Sequence, residues 1–147
     1  LDNNIQVNLG GIGWGSFLEK KYSSVNKGKL NFLGDCVVDD EYAYAISISK
    51  FGLGLLSKKF PEKHTTRTFE IPACGSCLLT ERNDEIDELL SDDECIKYSN
   101  FDELLFKINY YIDNSAMLEK LILKGTERMK RDGRDYNSQM CLLLGIV

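Results

Sequence analysis

The sequence predicts an α/β fold, a parallel sheet wrapped by helices, and three observations predict it. Short apolar stretches with strand character recur at Ile5–Leu9, Leu30–Gly34, Ser49–Leu56, Ser76–Thr80 and Cys95–Tyr98. Segments with helical patterning stand between them, and strands separated by helices make βαβ units, whose strands run parallel. The run Ser76-Cys77-Leu78-Leu79-Thr80 lacks the alternation of a half-exposed strand, so it suits a sheet covered on both faces. A chain of 147 residues with 43% hydrophobic residues, one Trp, seven Phe and seven Tyr has the material for one such domain with a core.

The elements follow in order. Ile5-Gln6-Val7-Asn8-Leu9 alternates as a strand and runs into Gly10-Gly11-Ile12-Gly13-Trp14-Gly15, which is either a plain turn or one in which Gly13 and Gly15 let a phosphate or sugar approach the backbone. Ser16 to about Ser24 reads as a short helix, Asn26–Lys29 as a polar loop and Leu30–Gly34 as the second strand. Asp39 or Asp40 caps a helix carrying Tyr42, Ala43 and Tyr44; the acidic run Asp39-Asp40-Glu41 is a first turn favoured by the helix dipole rather than a metal cluster. The strand Ser49–Leu56 leads to the loop Ser57–His64. Beyond it come the central helix, the apolar strand, an acidic helix Glu85–Leu90, the strand Cys95–Tyr98 and a helix Phe101–Asp113 capped by Asn100. Ile108, Tyr111 and Ile112 form its apolar stripe. A helix from Ser115 to Arg131 and an amphipathic segment from Tyr136 complete the chain.

The central helix is the stretch around which the rest is organised. Thr65-Thr66 suit an N-cap, and Gly75 suits the stop, so about two turns lie between them. Thr66, Arg67 and Glu70 share a face, with Phe69 and Ala73 on another. The free N–H groups of a helix start, beside the planar donor fork of Arg67, suit an anion such as a phosphate, and Glu70 one turn further in can accept from hydroxyls. Lys58, Lys59 and Lys63 make the preceding loop, with Arg67, the densest positive charge in the chain. Pro72 removes one donor inside the helix and bends its last turn. This loop and the glycine turn both lie at strand-to-helix junctions, the edge at which parallel sheets bind ligands.

Composition excludes other classes. A net charge of -5 argues against a broad nucleic-acid or anionic-membrane surface. No apolar run approaches the ~20 residues of a membrane span. The chain opens on Leu1 without a signal-peptide pattern, as a fragment or processed chain does. Five cysteines, odd in number and scattered, read as reduced and mostly buried thiols in a reducing, cytoplasmic compartment. Cys74-Gly75-Ser76-Cys77 is formally a CxxC, but zinc needs a second ligand pair and His64 is the single His, so no metal is expected.

Phe69-Glu70-Ile71-Pro72-Ala73-Cys74-Gly75, preceded by Thr65-Thr66-Arg67 and followed by Leu78-Leu79 and Thr80-Glu81-Arg82, resembles the C-terminal half of GT-B-type glycosyltransferases. The group it resembles most is that of the spore-maturation glycosyltransferases, near glycosyltransferase family 4, and the resemblance covers nearly the whole chain. It implies one Rossmann-like, donor-binding domain over residues 1–147, with the acceptor domain that precedes it in the family missing. It implies that Glu70 bonds the ribose hydroxyls of a nucleotide-diphosphate sugar while Thr65, Thr66 and Arg67 hold the diphosphate, without a metal ion or other cofactor. Glu62 has the spacing of a second Glu that touches the donor sugar in many relatives, although the intervening Lys63-His64-Thr65-Thr66-Arg67-Thr68-Phe69 departs from their glycine-rich form. His64 lies beside it, suited to donate or to face solvent rather than to act as the catalytic base, which stays unassigned. The acceptor, a glycan, lipid or protein, would be bound by the missing domain. Two other classes fit the same residues: a nucleotide-sugar epimerase of this architecture, and a non-catalytic α/β interaction module.

Overall fold

The computed structural model describes residues 5–21 and 29–146. The end of the first expected helix at Tyr22–Ser24 and most of the expected loop, Asn26–Gly28, lie outside the described residues. The chain divides into two compact units, one reaching to Ala45 and the other starting at Ile46.

In the first unit β1 (Val7–Gly10) and β2 (Leu30–Gly34) pair in parallel, with α1 (Trp14–Lys21) between them in sequence. The first strand therefore starts two residues later than its alternation suggests, and its register shifts between Leu9 and Gly10. α2 (Asp39–Ser47) begins at Asp39 with φ of 51°, a left-handed conformation that Asp tolerates better than most residues.

The second unit contains a three-stranded parallel sheet in the order β3 (Phe51–Gly54), β4 (Cys77–Glu81), β5 (Ile96–Tyr98). The single sheet of the sequence reading is thus two parallel sheets among the described residues. Cys77, Leu78, Leu79 and Thr80 are all buried, and consecutive strand residues point to opposite faces, so β4 is the covered inner strand its composition predicts. Ile71, Leu78, Leu90, Cys95 and Met129 form the core, with Phe69 packed against it.

Two glycines decide how closely the helices sit on this core. A Cβ at Gly52 of β3 would lie 2.6 Å from Cγ2 of Ile71, so α3 (Arg67–Ala73) rests on bare backbone there. A Cβ at Gly125 would lie 2.6 Å from the Glu94 carbonyl oxygen and 3.5 Å from Pro72 Cβ, which seats α6 (Ser115–Arg131) against α3.

α5 (Phe101–Asp113) is capped as its sequence predicts, Asn100 Oδ1 accepting from Glu103 N–H at 2.9 Å; α4 (Asp84–Leu89) starts and ends one residue earlier than expected, on a cap in which Asn83 Oδ1 accepts from Ile86 N–H at 3.0 Å. The buried stripe of α5 is Leu104 and Ile108; Ile112 is exposed, because position 108 plus four rotates past the contact with β5 and α6. α7 (Tyr136–Leu144) starts on a cap in which Asp135 Oδ1 accepts from Ser138 N–H at 2.9 Å. It has no buried residue, so the expected amphipathic burial is absent among the described residues. The thiols also differ from expectation: Cys77 and Cys95 are buried, Cys74 is half-buried, and Cys36 and Cys141 are exposed. The two exposed ones lie outside the strands, whose packing is what buries a Cys here.

Candidate functional site

α3 carries the site, and its ends explain its length. Gly75 adopts φ of 81°, Gly75 N–H donates to Pro72 O and Ser76 N–H to Ile71 O, so a Schellman turn closes the helix where the Gly predicts. Pro72 is accommodated because it falls in this last turn, and its carbonyl also accepts from Thr126 Oγ1 of α6 at 2.9 Å.

The start differs from the expected hydroxyl cap. Thr66 already has helical angles (φ -54°, ψ -34°) and makes no side-chain cap bond, because a helical residue cannot turn its hydroxyl back to the N–H two or three positions on. Instead Thr65 N–H points to Thr68 Oγ1 at 3.3 Å, and Thr65 Oγ1 is buried with no hydrogen-bond partner among the described residues. Thr66 and Arg67 are exposed, Glu70 half-buried.

The positive charge of the preceding loop is smaller than its sequence implies. Lys58 pairs with Glu81, and Lys63 Nζ lies 2.8 Å from both Asp84 oxygens, a hydrogen bond that raises the lysine pKa and lowers that of the aspartate. Lys59 and Arg67 are left without an ion pair among the described residues. The sequence places cations along the chain but not the carboxylates of β4 and α4 that fold against them. Glu62 Oε2 accepts from Ser57 N–H at 2.9 Å, and His64 Nδ1 lies 2.9 Å from Glu85 Oε2.

Beside α3 opens a cleft of about 330 Å³, lined by Phe69, Glu70 and Ala73 of α3, by Met129 and Lys130 of α6, and by Arg134 and Tyr136. Its walls are mostly apolar, with Glu70 and Arg134 among the few charged groups. The Arg134 guanidinium sits 5.6 Å from the centre of the Phe69 ring, and His64 meets the same ring edge-on. Sequence reasoning missed Lys130, Arg134 and Tyr136; they lie some sixty residues beyond α3, and no local pattern marks them.

In the first unit, Gly13 has φ of 86° with open space where a Cβ would be, as a backbone open to a ligand requires. Gly15 is different: a Cβ there would meet Phe32 at 3.3 Å, so packing alone accounts for that glycine. The CxxC is split, with Cys74 at the helix end and Cys77 inside β4, where burial pushes its thiol pKa far up.

A family model described as glycosyl transferase-like matches residues 1–144. The chain belongs to that glycosyltransferase family. Among solved structures it is similar to Anabaena Alr3699/HepE in complex with UDP, at 13% identity and a TM-score of 0.73 over 97% of this chain and 41% of that one. The HepE complex with UDP-glucose matches at 13% identity and a TM-score of 0.66, over 86% of this chain and 36% of that one. Sucrose-phosphate synthase from Thermosynechococcus elongatus matches at 18% and 0.65, over 86% and 34%. The chain thus spans about two fifths or less of the length of these proteins. No curated protein matches significantly. At such identities the likeness establishes the fold: parallel sheets flanked by helices, the Rossmann-like α/β arrangement of GT-B glycosyltransferases.

Proposed function

We propose that this glycosyltransferase-family chain is the donor half of an enzyme that moves a sugar from a nucleotide diphosphate to an acceptor, the acceptor side lying in a domain outside residues 1–147. The observation that carries the reading is the placement of Glu70, half-buried on the wall of a cleft one turn inside α3, behind the exposed Thr66 and Arg67. Glu70 accepts the ribose hydroxyls, and a carboxylate bonding two hydroxyls is a strong, charge-assisted acceptor. Thr65, Thr66 and Arg67 hold the diphosphate, with Thr65 Oγ1 as a hydroxyl still lacking a partner. In the first unit, taken by itself, Gly13 gives a phosphate or sugar close approach to backbone, whereas Gly15 lies inside α1 against Phe32 and takes no such part. Glu62 and His64 precede the diphosphate position and are the residues for the sugar.

In the reaction the bond from the anomeric carbon to the β-phosphate oxygen breaks, the acceptor hydroxyl oxygen bonds that carbon, and its proton passes to a base on the acceptor side. The departing diphosphate gains negative charge, and Arg67 with the N–H groups at the start of α3 stabilises it in place of a metal ion. Within the family, the Phe69–Gly75 motif favours the spore-maturation group near family 4. The thiols suit a reducing, cytoplasmic compartment.

UDP, the nucleotide in the HepE complexes, is the first ligand to test. Calorimetric titration with UDP and GDP should show saturable binding of one of them, weakened tenfold or more by Glu70→Ala, the range for hydrogen bonds to a charged group. Binding that Glu70→Ala leaves unchanged would overturn the assignment.

A further inference from the structure

We propose that Glu85 is a positioning residue for His64, and that His64, so held, reads a hydroxyl of the donor sugar; this rests on the donor reading above. His64 Nδ1 lies 2.9 Å from Glu85 Oε2. A carboxylate only accepts, so Nδ1 is the donor in this contact and Nε2 is the ring nitrogen left to face a ligand. The second Glu85 oxygen, Oε1, faces Lys63 Nζ at 3.8 Å. Asn83 Nδ2 donates to the Lys63 carbonyl at 2.9 Å, and Lys63 also pairs with Asp84, so the loop backbone next to His64 is fastened to α4 as well. From the other side the imidazole meets Phe69 edge-on, with ring centres 5.8 Å apart and planes at 78°. The ring is therefore fixed in place, while 41% of the side chain stays exposed and Nε2 has no partner among the described residues.

Glu62 is the other residue of this loop with the chemistry to bind a sugar, but its Oε2 is engaged by Ser57 N–H. The imidazole nitrogen is open. A sugar hydroxyl both donates and accepts, so it matches this nitrogen. Its position agrees. With the ribose at Glu70 and the diphosphate at Thr65–Arg67, about 6 Å nearer the helix start, the next group of the donor continues in that direction, to the residues just before the helix. His64 is one of them.

The experiment uses the full-length protein. Imidazole nitrogen resonances of His64, identified by their loss in His64→Gln, should show the proton on Nδ1 in the wild type and on Nε2 in Glu85→Ala. In calorimetric titration His64→Ala and Glu85→Ala should each weaken UDP-glucose about fivefold, the value of one neutral hydrogen bond, and leave UDP unchanged. Equal melting temperatures for wild type and variants exclude a folding defect. A proton on Nε2 in the wild type, equal weakening of both ligands, or no weakening of UDP-glucose would overturn the proposal. If Glu70→Ala still weakens UDP in that case, the donor reading stands without it; if Glu70→Ala does not, both fall.

Discussion

Gly52→Ala tests how α3 is held. The new Cβ would lie 2.6, 2.9 and 3.0 Å from Cγ2, Cγ1 and Cδ1 of Ile71. Ile71 is 2% exposed and β-branched, so its side chain has no room to swing aside, and the strain falls on the spacing between β3 and α3. Overpacking of this kind costs about 1–3 kcal/mol, against about 0.5–1 kcal/mol gained by replacing Gly in a strand, which leaves a net loss of about 1–2 kcal/mol. Ile71→Ala alone costs about 2–5 kcal/mol, as buried large-to-small changes do. Combined, the two should not add: with the Ile71 side chain gone, Gly52→Ala becomes neutral or slightly stabilising, a coupling of about 2 kcal/mol. Urea unfolding followed by far-UV circular dichroism, with the four variants of the cycle at one temperature, reads this directly. Tryptophan fluorescence would not, because the one Trp is in the first unit. Additivity within ~0.5 kcal/mol would mean that α3 does not rest on Gly52, and the geometric basis for the placement of Glu70 would go with it.

The remaining predictions concern the thiols and the ion pairs around Lys97. Burial pushes the thiol pKa of Cys95 up to about 12 and that of Cys77 higher still, so a thiol-alkylating reagent at neutral pH should label Cys36 and Cys141 and reach Cys77 and Cys95 only in denaturant; mass spectrometry of the labelled peptides checks it. Lys97, buried on β5, reaches Asp87 Oδ1 at 2.6 Å, and Arg82 bonds Asp87 and Asp92. The Lys97 hydrogen bond holds the Asp87 carboxyl below its usual range, and the Arg82 hydrogen bond does the same for Asp92. A depressed folded-state pKa contributes stability above the unfolded value, about 3.9, and loses it as pH falls through the folded one. Asp87→Asn should therefore destabilise at pH 7, and the difference from wild type should shrink below pH 4. Lys97→Met should be milder, since it leaves exposed carboxylates in water rather than a buried ammonium that keeps only Asp92, at 3.4 Å. Denaturation midpoints between pH 2.5 and 7 decide both; a pH-independent Asp87→Asn effect would refute the linkage.

The order of elements was legible because its signals are local. Asn100 before Phe101–Asp113, the Ser115–Arg131 helix, Gly75 after Ala73 and the unbroken apolar run of β4 each depend on residues within a few positions of one another. What the sequence could not show is which strands pair and which faces are covered. Ile112 continues the pattern of Ile108 yet is exposed, and the apolar residues of α7 lie in the open, because burial depends on partners far along the chain. The stop at Gly75 was visible as a residue type; the reason for Gly52 and Gly125 appears only once Ile71 and the Glu94 carbonyl stand over them.

The candidate site divides along the same line. Glu70 and Arg67 could be found from the motif, since their shared face follows from helix periodicity alone. The cleft wall could not, because Arg134 comes to Phe69 through the fold. Charge misled for a related reason. Lys58 and Lys63 read as part of an anion site while counted along the chain, but Glu81, Asp84 and Glu85 take them up, and Glu85 also meets His64 Nδ1. The acidic helix α4 thus holds the loop before α3. Of the four cations counted along the chain at the start of α3, Arg67 and Lys59 are thus the two without an ion pair among the described residues, so the charge an anion would meet there is set by the fold rather than by the sequence count.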